Sequence, residues 1–145
     1  MPAVFAKLNL KDQNRIVVLN APESFERELK LLKGVDVVRD LKKVKAVTFS
    51  LAFVISHGEV DTLAPAIGRK AEGDAVVWFA YPKKSSKKYQ SQISRDSGGW
   101  DSLGKQGFEP VRMVAIDEDW SAVRFRRAEF IRNMTRAEEY RLTKK

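Results

Sequence analysis

Between Pro82 and Tyr89 the chain reads Lys-Lys-Ser-Ser-Lys-Lys, four ammonium groups and two hydroxyls in six consecutive positions. The lysines of such a cluster offer charge to an oxyanion. A serine that caps a following helix would add free backbone N–H groups and the positive end of the helix dipole. Lys83, Lys84, Ser85, Ser86 and Lys87 are therefore the first candidate ligand-binding residues, with a phosphate as the expected occupant. The glycines of a triphosphate-wrapping loop are missing, so a tight wrap around a triphosphate is not expected. A second candidate group is Asn20 and Pro22 in "VLNAPESF", at a strand-to-helix turn where dinucleotide-binding chains carry glycines. Asn20 can take unusual backbone angles or cap the helix, and Pro22 stiffens its start. Asp40 follows Asn20 by twenty residues, the spacing of a ribose contact, although without the glycines a surface aspartate is the commoner meaning.

His57 is the sole histidine, and with no cysteine beside it a multi-histidine or thiolate metal site is excluded. It stands where a strand meets a helix, as a candidate ligand contact and, with Asp117, a candidate proton carrier. No Gly-x-Ser-x-Gly elbow exists to expose a nucleophile, so no catalytic residue is assigned. Tyr81 immediately precedes the lysines, and Arg95, Asp96 and Trp100 surround the "DSGGW" break as a polar-aromatic contact. For these last three the competing meaning is an intrahelical ion pair and a core indole. "DED" at 117–119 fits a hairpin turn better than a hard-cation site.

Charge is concentrated rather than spread. The chain carries 27 Lys and Arg against 19 Asp and Glu, net +8. Residues 83–88 hold four lysines and no acid, and residues 124–145 hold eight basic residues and three acids, so the excess belongs to one loop and one tail. No segment approaches the roughly 20 apolar residues of a membrane span, no signal-peptide run opens the chain, and cysteine is absent. A cytoplasmic protein without disulfides or a membrane partner is the expectation.

The positioning elements follow from periodicity. "RIVVLN", "AVTFSLAFVIS" and "DAVVWFAYPK" are continuous apolar runs, the mark of strands buried on both faces. "APESFERELKLLKG" places Phe25, Leu29 and Leu32 on one helical face, and "EVDTLAPAIGRKAEG" does the same with Val60, Ala64 and Ile67. "VDVVRDL" reads as a second strand, separated from the third by too few residues for a helical crossover, so either Val35 to Leu41 is a brief edge element or an irregular link replaces the helix. Beyond the lysines Tyr89 and Ile93, then Trp100 and Leu103 after the "DSGG" interruption, read as one broken helix or two short ones ended by Gly104 and Gly107, and "PVRMVAIDEDWSAVRFRRAEF" reads as a closing hairpin. A domain over residues 1–127 and a basic tail over 128–145, with a Thr135/Glu138 capping box and a short helix, is the resulting division. In a parallel sheet the loops leaving the strands' carboxyl ends share one rim, where ligands bind. Asn20–Glu23, Ser56, His57 and Tyr81–Lys88 belong there, with Asp117–Trp120 if the penultimate strand is parallel.

Taken together, "VLNAPESF", "AYPKKSSK", "SRDSGGW" and "VAIDEDWSAVRFRR" resemble a bacterial family of small proteins classified only as a domain of unknown function, over about Lys11 to Arg127. That resemblance implies a Rossmann-like α/β domain and supplies no reaction. More remotely, "LAPAIGRKAEGDAVVWFAYP" and the hairpin are similar to class I methyltransferases. The chain departs from that pattern in its first loop, which has no glycine, and in a missing central helix and strand. The expected architecture is a compact, reduced methyltransferase-like α/β fold with a mostly parallel sheet and an antiparallel C-terminal hairpin. The leading functional expectation is a non-catalytic module for a phosphate-bearing partner, a nucleotide or nucleic-acid backbone. The alternatives are a reduced transferase using S-adenosylmethionine and an interaction module acting through the basic tail. No cofactor or oligomeric state is read from the sequence.

Overall fold

A six-stranded sheet in the order β2-β1-β3-β4-β6-β5 forms the middle of the molecule. In this computed structural model residues 2–91, 93, 99–131 and 141–144 are described. The strands are β1 (Arg15–Leu19), β2 (Asp36–Val38), β3 (Val47–Phe53), β4 (Ala71–Pro82), β5 (Phe108–Ala115) and β6 (Trp120–Arg127). β1, β2, β3 and β4 pair in parallel, and β6 runs antiparallel to both β4 and β5. This is the mixed α/β architecture expected, with the penultimate strand β5 running in the direction of β4.

Both faces of the sheet are covered at β1, β3 and the second half of β4, which explains their unbroken apolar runs. Along β1, Ile16 and Val18 enter one core while Val17 and Leu19 enter the other. Along β4, Val76, Trp78 and Ala80 alternate likewise with Val77, Phe79 and Tyr81. The first face is packed by α1 (Ala3–Lys7) through Phe5 and by α2 (Glu23–Lys30) through Phe25 and Leu29. The second is packed by α3 (His57–Lys70) through Val60, Ala64 and Ile67, and by α4 (Asp101–Lys105) through Leu103. Helix α1 lies outside the sequence expectation; the Trp78 indole N–H donates to the Leu8 carbonyl at 2.7 Å and ties the end of this short helix to the sheet.

The strand expected over 35–41 shortens to three residues on the sheet edge. From its end the chain returns across β1 through residues 39–46, which contain a 3-10 turn at Leu41–Lys43 in place of a crossover helix. Eight extended residues reach at most about 28 Å, enough to pass a short strand. Leu41 and the buried Val44 pack on the second core, and the Lys70 ammonium donates to the carbonyls of both residues. That link takes the place of a crossover helix between β2 and β3.

Of the one broken helix or two short ones expected beyond the lysines, the first part at Tyr89 and Ile93 is absent among the described residues, which form turns and irregular chain, and the second part around Leu103 is α4. The capping pair Thr135/Glu138 falls outside the described residues. Past it, Leu142 is buried in the second core. The backbone N–H groups of Leu142 and Thr143 donate to the buried Glu109 carboxylate on β5, each at 2.8 Å. Gly104 of α4 permits this approach, since a Cβ there would run into the Leu142 backbone.

Candidate functional site: the rim at the switch point

Strand β1 lies between β2 on one side and β3 on the other, so chain direction across the sheet reverses at the β1/β3 boundary. Above that boundary the loops after the two strands diverge and leave a crevice, the usual ligand position in open α/β sheets. Here an open cleft of about 510 Å³ is lined by Asn20, Ser56, Gly58, Glu59, Thr62 and Leu63. Its parts come from the turn after β1 and the first turns of α3.

Asn20 adopts φ 59°, the left-handed region that glycine occupies in related turns, and its amide donates to the Phe53 carbonyl at 3.4 Å. An asparagine thereby makes the strand-to-helix turn without glycine and fixes the loop after β1 to the end of β3. Pro22 is the N-cap of α2, with extended backbone and no side-chain capping bond. The start of α3 is closed by a reciprocal capping box. The Glu59 N–H donates to Ser56 Oγ at 3.2 Å, while Glu59 Oε1 accepts from the Ile55 N–H at 2.8 Å and the Ser56 N–H at 3.2 Å. Thr62 donates its hydroxyl to the Gly58 carbonyl at 3.0 Å. The cleft therefore offers an amide, two hydroxyls and one carboxylate.

The lysine loop shares this rim but not this cleft. Leu19 is level with Ala52, and Ala52 with Phe79, so Asn20 stands level with Ala80, three residues before Lys83. Two inter-strand spacings sideways and three residues along give about 14 Å between Asn20 and the start of the loop. Among the described residues no helix starts at the lysines, which corrects the expected cap. Ser86 instead donates its hydroxyl to Asp119 Oδ1 at 2.8 Å and accepts from the Tyr89 N–H at 3.1 Å and the Lys88 N–H at 3.3 Å. The Lys83 N–H donates to the Asp119 carbonyl at 2.8 Å. A polar turn on the neighbouring hairpin thus holds the serine that would have capped a helix, and Lys84, Ser85, Lys87 and Lys88 are exposed. Beyond it Tyr89 packs on Trp120, with ring centroids 5.0 Å apart, and Ser91 donates to the Ile55 carbonyl at 3.0 Å, drawing the segment across the rim.

The other expected residues are placed as follows. Tyr81 and Trp100 are buried, 5.9 Å apart by ring centroid, with Trp100 also against Phe79 and Phe125. They are core residues. Asp40 accepts from the Lys42 N–H at 3.0 Å, capping the 3-10 turn, and is exposed. Asp117 accepts from the N–H groups of Asp119 and Trp120 at 2.8 and 2.9 Å, holding the hairpin turn. His57 opens α3 and lines a separate cavity of about 460 Å³ with Asp61, Gly99, Ser102 and Lys105. Its Nε2 is buried and without a partner among the described residues, and a Cβ on Gly99 would collide with its ring. Arg95 and Asp96 lie outside the described residues. Glu59, Thr62 and Leu63 are absent from the sequence expectation, yet the Ser-x-x-Glu pattern at 56–59 is a legible helix-start signal directly after a buried strand.

Near the hairpin base, Arg126 forms a bidentate pair with Asp74, at 2.8 and 2.6 Å. The arginine's hydrogen bonds hold the Asp74 carboxyl below its ordinary value and outweigh the upward push of partial burial. Among the described residues, no helix is long and apolar enough to cross a membrane.

Comparison with known proteins agrees on the fold. A S-adenosylmethionine-dependent methyltransferase from Aquifex aeolicus superposes with a TM-score of 0.57 at 16% identity, covering 87% of this chain and 88% of the other. Magnesium protoporphyrin IX methyltransferase from Synechocystis, solved with bound S-adenosylhomocysteine, gives 0.55 at 10% identity over 87% and 78%. The N-methyltransferase NodS from Bradyrhizobium japonicum gives 0.51 at 10% identity over 86% and 93%. No family model and no curated protein matches the sequence, so the resemblance to a small bacterial family has no matching model behind it. At these identities the likeness establishes one thing, that the chain has the Rossmann-like fold of the class I methyltransferases.

Proposed function

We propose that the chain binds a small nucleoside ligand of the S-adenosylmethionine type in the cleft where β1 and β3 diverge. The observation that carries this reading is the cleft itself: about 510 Å³, at the switch point, floored by a left-handed Asn20 and walled by the start of α3. Such a volume lies within the range of small-molecule sites. The donor set favours this ligand over a nucleotide. Glu59 brings a carboxylate to the cleft, which opposes a polyphosphate and suits a ligand carrying sulfonium and ammonium charge. Asn20, Ser56 and Thr62 would supply the polar contacts, and Leu63 an apolar surface. When bound, the sulfonium of such a ligand supplies an electrophilic methyl group; the role assigned to this chain's residues is to hold and orient it.

The test is thermal unfolding with S-adenosylmethionine, S-adenosylhomocysteine and ATP. At 100 times the dissociation constant a ligand specific for the folded state stabilises by about 2.7 kcal/mol. For a chain of this size that is a rise of roughly 5–10 °C. Thr62→Trp, on an exposed helix position, should fill the cleft and remove the rise, whereas the double variant Lys84→Ala/Lys87→Ala should keep it. A rise with ATP alone, or none with either adenosyl ligand, overturns the reading.

A further inference from the structure

On the hairpin, Arg112 of β5 and Arg124 of β6 stand directly opposite each other, and Arg124 is also opposite Trp78 of β4. Arg126, two residues on, shares the face of Arg124. Three guanidinium groups therefore crowd one patch, and the carboxylate paired there, Asp74, is taken up by Arg126. Arg112 is exposed, whereas Arg124 is half-buried with its Nε enclosed and unpartnered among the described residues.

Like charges directly opposite on neighbouring strands destabilise a sheet, and an enclosed donor without an acceptor loses its hydration with no bond in return. Burial first, and then Arg126 and Arg112, push the Arg124 guanidinium below its ordinary value, while Asp74 pulls it back up. Aliphatic side chains would cover the same strands without either cost. One ligand chemistry reverses the balance: an oxyanion between the two arginines turns their repulsion into a pair of charge-assisted, fork-shaped contacts.

We propose that Arg112 and Arg124 form an oxyanion site for a phosphate group on the face of the closing hairpin, separate from the switch-point cleft and independent of the reading given for it. The phosphate can belong to a small phosphoester or to a nucleic-acid backbone, which two arms of one experiment distinguish. The first measures the melting midpoint in potassium phosphate and in pyrophosphate against potassium chloride of equal ionic strength. The second measures anisotropy of a labelled 12-nucleotide single-stranded RNA over a salt series.

Phosphate at 100 times its dissociation constant should raise the folding equilibrium constant of the natural chain about 100-fold. Arg112→Gln and Arg124→Lys should each weaken binding at least 10-fold, the second although it keeps its charge. Arg112→Gln should leave the ligand-free midpoint unchanged or higher, because it removes a repulsion; a merely structural arginine would lower it. The double variant Lys84→Ala/Lys87→Ala should bind normally. A phosphate effect without RNA binding assigns a small phosphoester, and RNA binding whose salt dependence weakens in Arg112→Gln assigns a backbone. No effect of either ligand overturns the proposal, as does binding lost in the lysine variant but kept in both arginine variants, or a ligand-free Arg112→Gln that is clearly destabilised.

Discussion

The buried carboxylate of Glu109 makes a sharp claim about the C-terminus. It is fully enclosed and accepts from the backbone N–H groups of Leu142 and Thr143 and from the Thr143 hydroxyl. Glu109→Gln keeps the shape but removes the charge and turns one acceptor into a donor facing donors. Each hydrogen bond to a charged group is worth about 1.5–3 kcal/mol, but the loss has a ceiling, because the segment can leave for water. That ceiling is set largely by re-exposing Leu142, now 8% exposed, at about 1.5–3 kcal/mol. We therefore expect a loss of about 2 kcal/mol, a fall of roughly 4–8 °C in the melting midpoint. The assay is thermal and urea unfolding of Glu109→Gln, of a chain lacking residues 141–145, and of the two combined. Since both changes remove the same contacts, their costs should fall well short of additive. A Glu109→Gln chain within 0.5 kcal/mol of the parent, or full additivity, would refute the reasoning.

Two further expectations follow from the rim and the hairpin base. Ser86→Ala removes the bonds to Asp119 and to the Tyr89 N–H, and should cost about 1–2 kcal/mol while raising hydrogen exchange across 86–91; unchanged exchange there would count against the tether. Asp74 is held below its ordinary value chiefly by the Arg126 hydrogen bonds, so its contribution to stability is present above the unfolded value and disappears as pH falls through the lower folded one. Asp74→Asn should flatten that acid limb of the stability profile, and an identical slope in parent and variant would contradict the assignment.

Much of the scaffold was legible because its strands are buried on both faces. "RIVVL", "VTFSLAF" and "AVVWFAY" can be read as β1, β3 and β4 without knowing their partners. Helix α1 was not, since five residues give no helical period and its anchor is an indole seventy positions away. The lysine loop misled for a similar reason: Ser86 has the chemistry of a helix cap, but the turn at Asp119 competes for its hydroxyl, and that neighbour becomes close only when β6 pairs with β4. At the cleft, the Asn20 turn was recognisable from residue type and position. Glu59 was not, because a glutamate two residues into a helix reads as an ordinary cap until the sheet sets it beside the loop from β1.

The most direct measurement of the central claim is a titration of the isotopically labelled protein with S-adenosylmethionine, followed by amide chemical shifts. We expect saturable changes centred on Asn20, Ser56, Gly58 and Thr62, around the switch-point cleft. Saturating ligand that moves none of these, or moves only residues 83–88, would contradict it.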